Sequence, residues 1–437
     1  MTEPESDIRA VATEESSIVR RLEVEIDASR VRRAFDHAYR DLAKGSQIKG
    51  FRRGRVPRSV LERLYGASVA EQLEQTLIQE TLADALEQTE LQAVASPAVD
   101  SEPPKPDTSF SYVARVEVRP EIELPDLEGL PGKRPSAEVP DEDVEEELES
   151  LRLRHAPVVE EPEGTSAANG HILTVDFVGR IEGEVFEGGT GKDVEVELGA
   201  SRFIPGFEEQ LLGAEVGEDR EVQVAFPEDY ANQALAGRQA VFAVHVAEVK
   251  SRQLPELDDE FAKDLGEEFG TLAELRERIR TERTGMRKRE AQNALYRSLL
   301  DALIERTEFD VPHGMVDRQL ERRLENAARQ FAGSMEDSAL QAELERMRDQ
   351  WRPAAEREVR EQLLIEAVAK ARGIEASELE IEERIQEMAQ ERGVEVPRLR
   401  EALGEGVAES LASGQLRDQQ ALDFLAATAK VEVISDR

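Results

Sequence analysis

A chain of 437 residues with 94 acidic against 56 basic side chains, a formal charge of -38 and no cysteine is too long for one hydrophobic core and reads as about three domains. The lack of cysteine excludes disulfides, thiolate nucleophiles and sulfur-built zinc sites, and the negative mean field opposes general affinity for nucleic acid or anionic membrane. No window approaches the roughly 18 apolar residues of a membrane span, and the opening "MTEPESDIRAVATEES" lacks both the basic end and the apolar stretch of a signal peptide, so a cytosolic protein without a membrane partner is expected.

Residues 18–26, "IVRRLEVEI", alternate Leu22, Val24 and Ile26 to one face, and "FSYVARVEV" does the same with Tyr112, Ala114, Val116 and Val118; period two predicts half-buried strands. Between them, residues 31–44 place Val31, Phe35, Ala38 and Leu42 on one helical face, and residues 67–91 repeat Val69, Leu73, Leu77, Ala85 and Leu86 at helical spacing. Residues 1–119 therefore read as a small α+β domain. Its inter-helix loop, "IKGFRRGRVPRSVLERLYG", gathers Lys49, Arg52, Arg53, Arg55 and Arg58 around Phe51; Gly50 and Gly54 interrupt helix, Pro57 suits the first turn of the next one, and Gly66 can end it.

From residue 120 the composition turns to proline, glycine and acid, an extended connector leading to a short acidic helix near 141–154, so residues 120–158 form a linker and the first part of a discontinuous body. Residues 159–250 show short alternating segments separated by glycine-bearing turns, with one short helix in "GFEEQLLG": a small antiparallel β domain. After 251 the pattern is helical, with Thr271 and Glu274 forming a capping box and Pro312 preceding Val316, Leu320, Leu324 and Phe331. The apolar stripes are thin, which predicts extended helical arms with some apolar surface left open; Met335, Met347 and Trp351 are candidates, or else they close the inter-helix core.

Catalytic templates fail. The five histidines have no metal-ligand spacing, and His245 reads as a packed or edge residue of a strand. "GGTGKD" at 188–193 resembles a phosphate loop, but Phe186 stands at the first glycine position and Asp193 where a magnesium-holding hydroxyl belongs, so it reads as a turn. No acid/base pair can be chosen among so many carboxylates, and no metal or cofactor is expected. What stands out is a set of aromatics, Phe177, Phe186, Phe203, Phe207, Phe226, Tyr230 and Phe242, in a chain only 5% aromatic.

Four ordered motifs, "VDFVGRIEGEVFEGG", "FIPGFEEQLLG", "FPEDYA" and "AVFAVHVAEV", resemble the FK506-binding-protein fold of peptidyl-prolyl isomerases. The resemblance implies a pocket with Phe177 and Phe186 as wall, Ile204 and Phe207 as side and floor, Tyr230 at the rim and Phe242 opposite, and it implies the Ile204 backbone amide as donor to the substrate carbonyl. Glu187 stands where small isomerases carry aspartate, Phe207 where they carry tryptophan, and Val194 where an aromatic is frequent. "GFRRGRVP" followed by "YGASV" resembles the ribosome-docking signature of the trigger factor family, with Arg55 where lysine is usual, and "LPELDDEFAKDLG" resembles its C-terminal domain. This implies a ribosome-docking loop of Gly50, Phe51, Arg52, Arg53, Gly54 and Arg55, in which arginines pair with phosphate or carboxylate and Phe51 anchors.

The whole reads as a multidomain α+β protein: an N-terminal α+β docking domain (1–119), the linker (120–158), an FKBP-like antiparallel β domain with a short helix (159–250) and an extended all-α C-terminal chaperone domain (251–437). Its expected partners are the ribosome near the nascent-chain exit, through ribosomal protein and RNA, and nascent or unfolded polypeptides, with a homodimer off the ribosome. The rival reading is a dedicated isomerase whose helical domain serves dimerisation alone.

Overall fold

The computed structural model describes residues 7–45, 51, 56–162, 164–228, 230, 232–266, 269–333 and 336–434. The chain divides into two compact units, Met1–Pro135 with Gln292–Arg437, and Ser136–Ala291.

The first unit begins with β1 (Ile8–Glu14) and β2 (Val19–Ile26), paired antiparallel with Ile8 opposite Ile26. Alternation in β2 sends Leu22, Val24 and Ile26 inward, as the period-two pattern requires. The helices α1 (Ala28–Gly45) and α2 (Arg58–Gln88) cover that face with Val31, Phe35 and Tyr39 from α1 and Leu61, Val69, Leu73 and Leu77 from α2. Burying one such side chain contributes about 1.5–3 kcal/mol. β3 (Ala98–Ser101) and β4 (Phe110–Glu117) complete an antiparallel sheet in the order β1-β2-β4-β3. A buried Thr81 hydroxyl is satisfied by the Leu77 carbonyl at 2.7 Å and by the Tyr112 hydroxyl at 3.0 Å.

The structure departs from the sequence pattern at three places here. Gly66 does not end a helix: α2 runs through it, because Leu61, Val69, Leu73 and Leu77 continue one buried stripe on both sides and tertiary packing outweighs the propensity cost of one glycine. β1 was not foreseen, since alternation there puts only Ile8 and two alanines, Ala10 and Ala12, toward the core. The connector also contains a strand, β5 (Pro131–Pro135), in a composition that disfavours one. A Cβ at Gly132 would lie 2.7 Å from the Leu295 side chain, so a larger residue there would have to push that buried leucine aside.

The second unit contains α3 (Asp141–His155), β6 (Val158–Glu160), β7 (Ile172–Ile181), β8 (Glu184–Glu197), α4 (Phe207–Leu211), β9 (Asp219–Ala225), β10 (Gln239–Arg252), α5 (Asp259–Leu265) and the part of α6 (Leu272–Ile304) up to Ala291. Its sheet runs β6-β10-β7-β8, with β9 also on β10, and every pairing is antiparallel. α4 packs into the same core as the sheet through Phe207 and Leu211. A separate helical core joins Val144 and Leu148 of α3 to Phe261, Leu272, Leu275 and Ile279. The anticipated capping box is present: the Glu274 N–H donates to the Thr271 hydroxyl at 3.3 Å and the Thr271 N–H to the Glu274 carboxylate at 3.1 Å. Arg276, Arg280, Arg283 and Arg287 pair with Glu145, Asp141, Glu147 and Asp143, so the acid-rich face of α3 is neutralised by α6. Each exposed pair is worth at most about 1 kcal/mol, and their effect is register more than stability.

The first unit resumes with the rest of α6 from Gln292, followed by α7 (His313–Phe331), α8 (Asp337–Arg372), α9 (Glu378–Glu391), α10 (Val396–Leu403), α11 (Val407–Thr428) and β11 (Lys430–Ile434). β11 lies parallel to β5, Lys430 opposite Pro131. Met347 and Trp351 are half-buried against the core that α7 and α8 share, so they close that core; Met335 lies outside the described residues. Leu379, Val407 and Leu411 are exposed apolar side chains on α9 and α11. Among the described residues no helix is long and apolar enough to cross a membrane.

Candidate functional site

In the second unit the sequence-selected aromatics converge. Phe177 on β7, Phe207 at the start of α4 and Phe242 on β10 meet edge to face, with centroids 6.1 Å (Phe177–Phe207), 5.7 Å (Phe177–Phe242) and 5.4 Å (Phe207–Phe242) apart. Phe186 of β8 stands edge-on to Phe242 at 6.0 Å, and Ile204 packs on the same cluster. Tyr230 reaches it indirectly, through Phe226, at 4.8 Å and 5.9 Å in succession. Burial is graded: Phe207 and Phe242 are inside, Phe177, Phe186 and Ile204 are half-buried, and Tyr230 is 37% exposed. The rings thus run from buried to half-exposed across one cluster, with ring edges favouring T-shaped contact.

Glycines make the rings fit. β10 pairs Phe242 with Gly179 and β8 pairs Gly191 with Phe177. A Cβ on Gly179 would stand 2.6 Å from the Phe242 ring, and one on Gly191 2.6 Å from the Phe177 ring. The "GGTGKD" segment is therefore not a turn but part of β8, where small residues leave room for the facing rings. Gly179→Ala should displace at least one ring and cost about 1–3 kcal/mol of stability; thermal melting checks it.

Three contributors were not assigned to the site from sequence. Phe203 stacks on Phe207 at 5.4 Å, and Phe226 links Phe186 to Tyr230. Glu208, nine-tenths buried, accepts four backbone N–H groups from the loop before α4. Burial alone would raise its carboxyl pKa, but those four donors outweigh it and hold the group below the usual carboxylate range. A groove of about 580 Å³ beside the box is lined by Asp176, Phe177 and Val178 of β7, Lys192 of β8 and His245 of β10. There His245 bonds Asp219 at 2.7 Å; exposed on β10 and flanked by β7 and β9, it is neither packed nor at a sheet edge, contrary to the sequence reading. Among the described residues no cluster of His, Asp or Glu could hold a metal.

The other predicted site follows α1. Phe51 is 41% exposed, whereas Gly50, Arg52, Arg53, Gly54 and Arg55 lie outside the described residues. Arg58, counted among the cations around Phe51, is committed elsewhere. It pairs with Asp36 and, at 2.6 Å, with Glu62, and its guanidinium lies 5.3 Å from the Tyr39 ring centroid. Its charge is spent on joining α1 to α2.

Residues 9–151 match the family described as "Bacterial trigger factor protein (TF)", 271–427 match its C-terminus, and 163–247 match "FKBP-type peptidyl-prolyl cis-trans isomerase". Trigger factor of Syntrophotalea carbinolica is 37% identical over 423 residues, 96% of this chain and 95% of that one. That of Anoxybacillus flavithermus is 38% identical over 422 residues, 94% and 96% of the two chains. The chain belongs to the trigger factor family. A solved trigger factor chaperone structure shares the fold, with a TM-score of 0.53 at 23% identity over 96% of this chain and 99% of that one. As a trigger factor, the protein is a ribosome-associated chaperone carrying an FKBP-type peptidyl-prolyl isomerase domain. The rival reading, a dedicated isomerase without a ribosome role, is not favoured.

Proposed function

We propose that isomerisation takes place on the aromatic box, with Phe207 as floor, Phe177 and Phe186 as wall, Phe242 opposite, Ile204 at the side and Tyr230 at the rim. The observation that carries this reading is the convergence of rings from β7, β8, α4 and β10, graded from buried to half-exposed. An X-Pro bond isomerises over tens to hundreds of seconds because rotation sacrifices amide resonance. A dry apolar pocket favours the twisted amide, which has lost its resonance dipole, over the better-solvated planar form. Nothing in the box has to titrate, since five of its six named residues, all but Tyr230, have hydrocarbon side chains.

The loop Gly50–Arg55 is proposed as the ribosome contact, with exposed Phe51 as apolar anchor and Arg52, Arg53 and Arg55 as partners of phosphate or carboxylate. The division of labour proposed is docking by residues 1–119, isomerisation by 159–250, and holding of nascent chains in the cytoplasm by 120–158 with 251–437. Exposed Leu379, Val407 and Leu411 support the last assignment. Replacing these three by serine should reduce suppression of client aggregation severalfold without moving the melting temperature, since none of them is buried; light scattering during dilution of an unfolded client tests it. Self-association away from the ribosome, implied by the family resemblance, is read by sedimentation velocity across concentration.

A further inference from the structure

We propose that Glu208 is a positioning residue for isomerisation: its carboxylate fixes the loop before α4 so that the Ile204 N–H stays available to the substrate carbonyl. The inference rests on reading the aromatic box as the proline pocket.

The geometry is that of an internal anion held in a backbone cradle. Glu208 Oε2 accepts the N–H groups of Gly199 and Ser201, both at 2.9 Å, and Oε1 accepts those of Arg202 at 2.8 Å and Phe203 at 3.1 Å. Successive amides can converge this way only if some residues turn left-handed. Gly199 does so at φ +91°, and Ser201, which carries a side chain, does so at φ +52°. A non-glycine residue persists in that region when its surroundings over-determine it, and here the carboxylate does so through the Ser201 N–H.

The run of bound amides then stops. Residues 201, 202 and 203 donate to Glu208, while the next amide, that of Ile204, donates to no acceptor among the described residues. The two flanking residues are both fixed. Phe203 is held by its N–H on Glu208 and by its ring stacked on Phe207, and the Ile204 carbonyl accepts the Phe207 N–H at 3.0 Å. The peptide between them is therefore set from both ends, with its N–H unspent, at a residue that packs on the aromatic box. A donor prealigned in this way is not reorganised when substrate arrives.

Only a carboxylate suits the cradle. Glu208→Gln keeps the shape but replaces one oxygen with an NH₂ that faces two N–H donors. Glu208→Asp keeps both oxygens but is one methylene shorter. The test is steady-state isomerisation of a proline peptide by the full chain and by Glu208→Gln, Glu208→Asp and Phe207→Ala, with hydrogen exchange of the 199–204 amides. Glu208→Gln is expected to lower kcat/KM about tenfold or more, with KM raised, because an aligned donor to bound substrate is lost. The 199–204 amides should exchange faster while the rest of Ser136–Ala291 keeps its protection, and Glu208→Asp should recover part of the activity. A merely structural role would lower apparent kcat through the folded fraction and leave KM unchanged, which would overturn the proposal. So would Glu208→Gln with wild-type kcat/KM. If Glu208→Gln does not fold, Glu208→Asp decides, and wild-type kinetics in it overturn the proposal equally. Loss of activity in Phe207→Ala alone sinks the role of Glu208 and spares the pocket; full activity in Phe207→Ala sinks the pocket, and this inference with it.

Discussion

With Phe51, Arg52 and Arg53 all replaced by alanine, the protein should no longer co-sediment with ribosomes, while its melting temperature and its isomerase activity stay at wild-type values. Phe51 is 41% exposed and belongs to no core cluster, so its removal takes little from the fold. At an interface the same side chain becomes an anchor, where truncation of a central aromatic costs about 2 kcal/mol or more, and each lost charge-assisted bond adds about 1.5–3 kcal/mol. Together these exceed the 2.7 kcal/mol that corresponds to roughly a hundredfold in affinity. Salt gives a second reading. If the arginines meet RNA phosphates, wild-type binding weakens with ionic strength, and each phosphate contact removed flattens the log–log slope by about 0.7–0.9. Arg58→Met should not alter that slope, because its guanidinium is already paired with Asp36 and Glu62. Undiminished co-sedimentation of the triple variant would remove the loop from the docking surface.

Phe207→Ala and Tyr230→Ala should each slow isomerisation of a proline peptide at least about tenfold, the equivalent of about 1.4 kcal/mol of transition-state stabilisation. They should differ in stability. Phe207 is buried in contact with three other rings, and emptying such a site costs about 3–5 kcal/mol. Tyr230, 37% exposed, should cost far less. The tyrosine variant is thus the cleaner test of the pocket, and the phenylalanine variant must be assayed below its own transition. Binding to an unfolded client without proline should survive both changes, because α9 and α11 belong to the other compact unit. Equal loss of holding and isomerisation would mean that the rings are part of the client surface.

Much of this was legible because periodicity reports burial directly. Leu22, Val24 and Ile26 at period two, and Val316, Leu320 and Leu324 at helical spacing, are buried as the pattern states. The aromatic residues proposed for the site came from the resemblance of four ordered motifs to the isomerase fold, because their spacing alone does not separate a pocket from ordinary core packing. The missed features share a different cause, in that their residue types point elsewhere. β5 is built from Pro, Gly, Lys and Arg and exists only because β11 supplies a partner far along the chain. β1 hides behind alanines. Gly66 looks like a stop, yet the buried stripe of α2 passes through it. Glu208 is one carboxylate among 94 acidic residues, and nothing in its neighbourhood of sequence distinguishes it from Glu209; only the left-handed turn at Ser201 brings four amides onto it. Interactions defined by backbone convergence leave no trace in hydrophobic spacing.

The parallel pairing of β5 with β11 sets an order on the protein's own synthesis. Pro131 and Lys430 are neighbours in the sheet but about 300 residues apart along the chain, so at roughly 5–20 residues per second β5 waits on the order of 15–60 s for its partner to be made. Residues 136–291 are complete well before that moment and have their own cores, so the isomerase-bearing unit can finish folding while the unit around it is still open. A chain truncated between residues 291 and 430 would keep the whole of Ser136–Ala291 yet leave the backbone of β5 without its partner strand. Termination in that interval therefore leaves one unit whole and the other open.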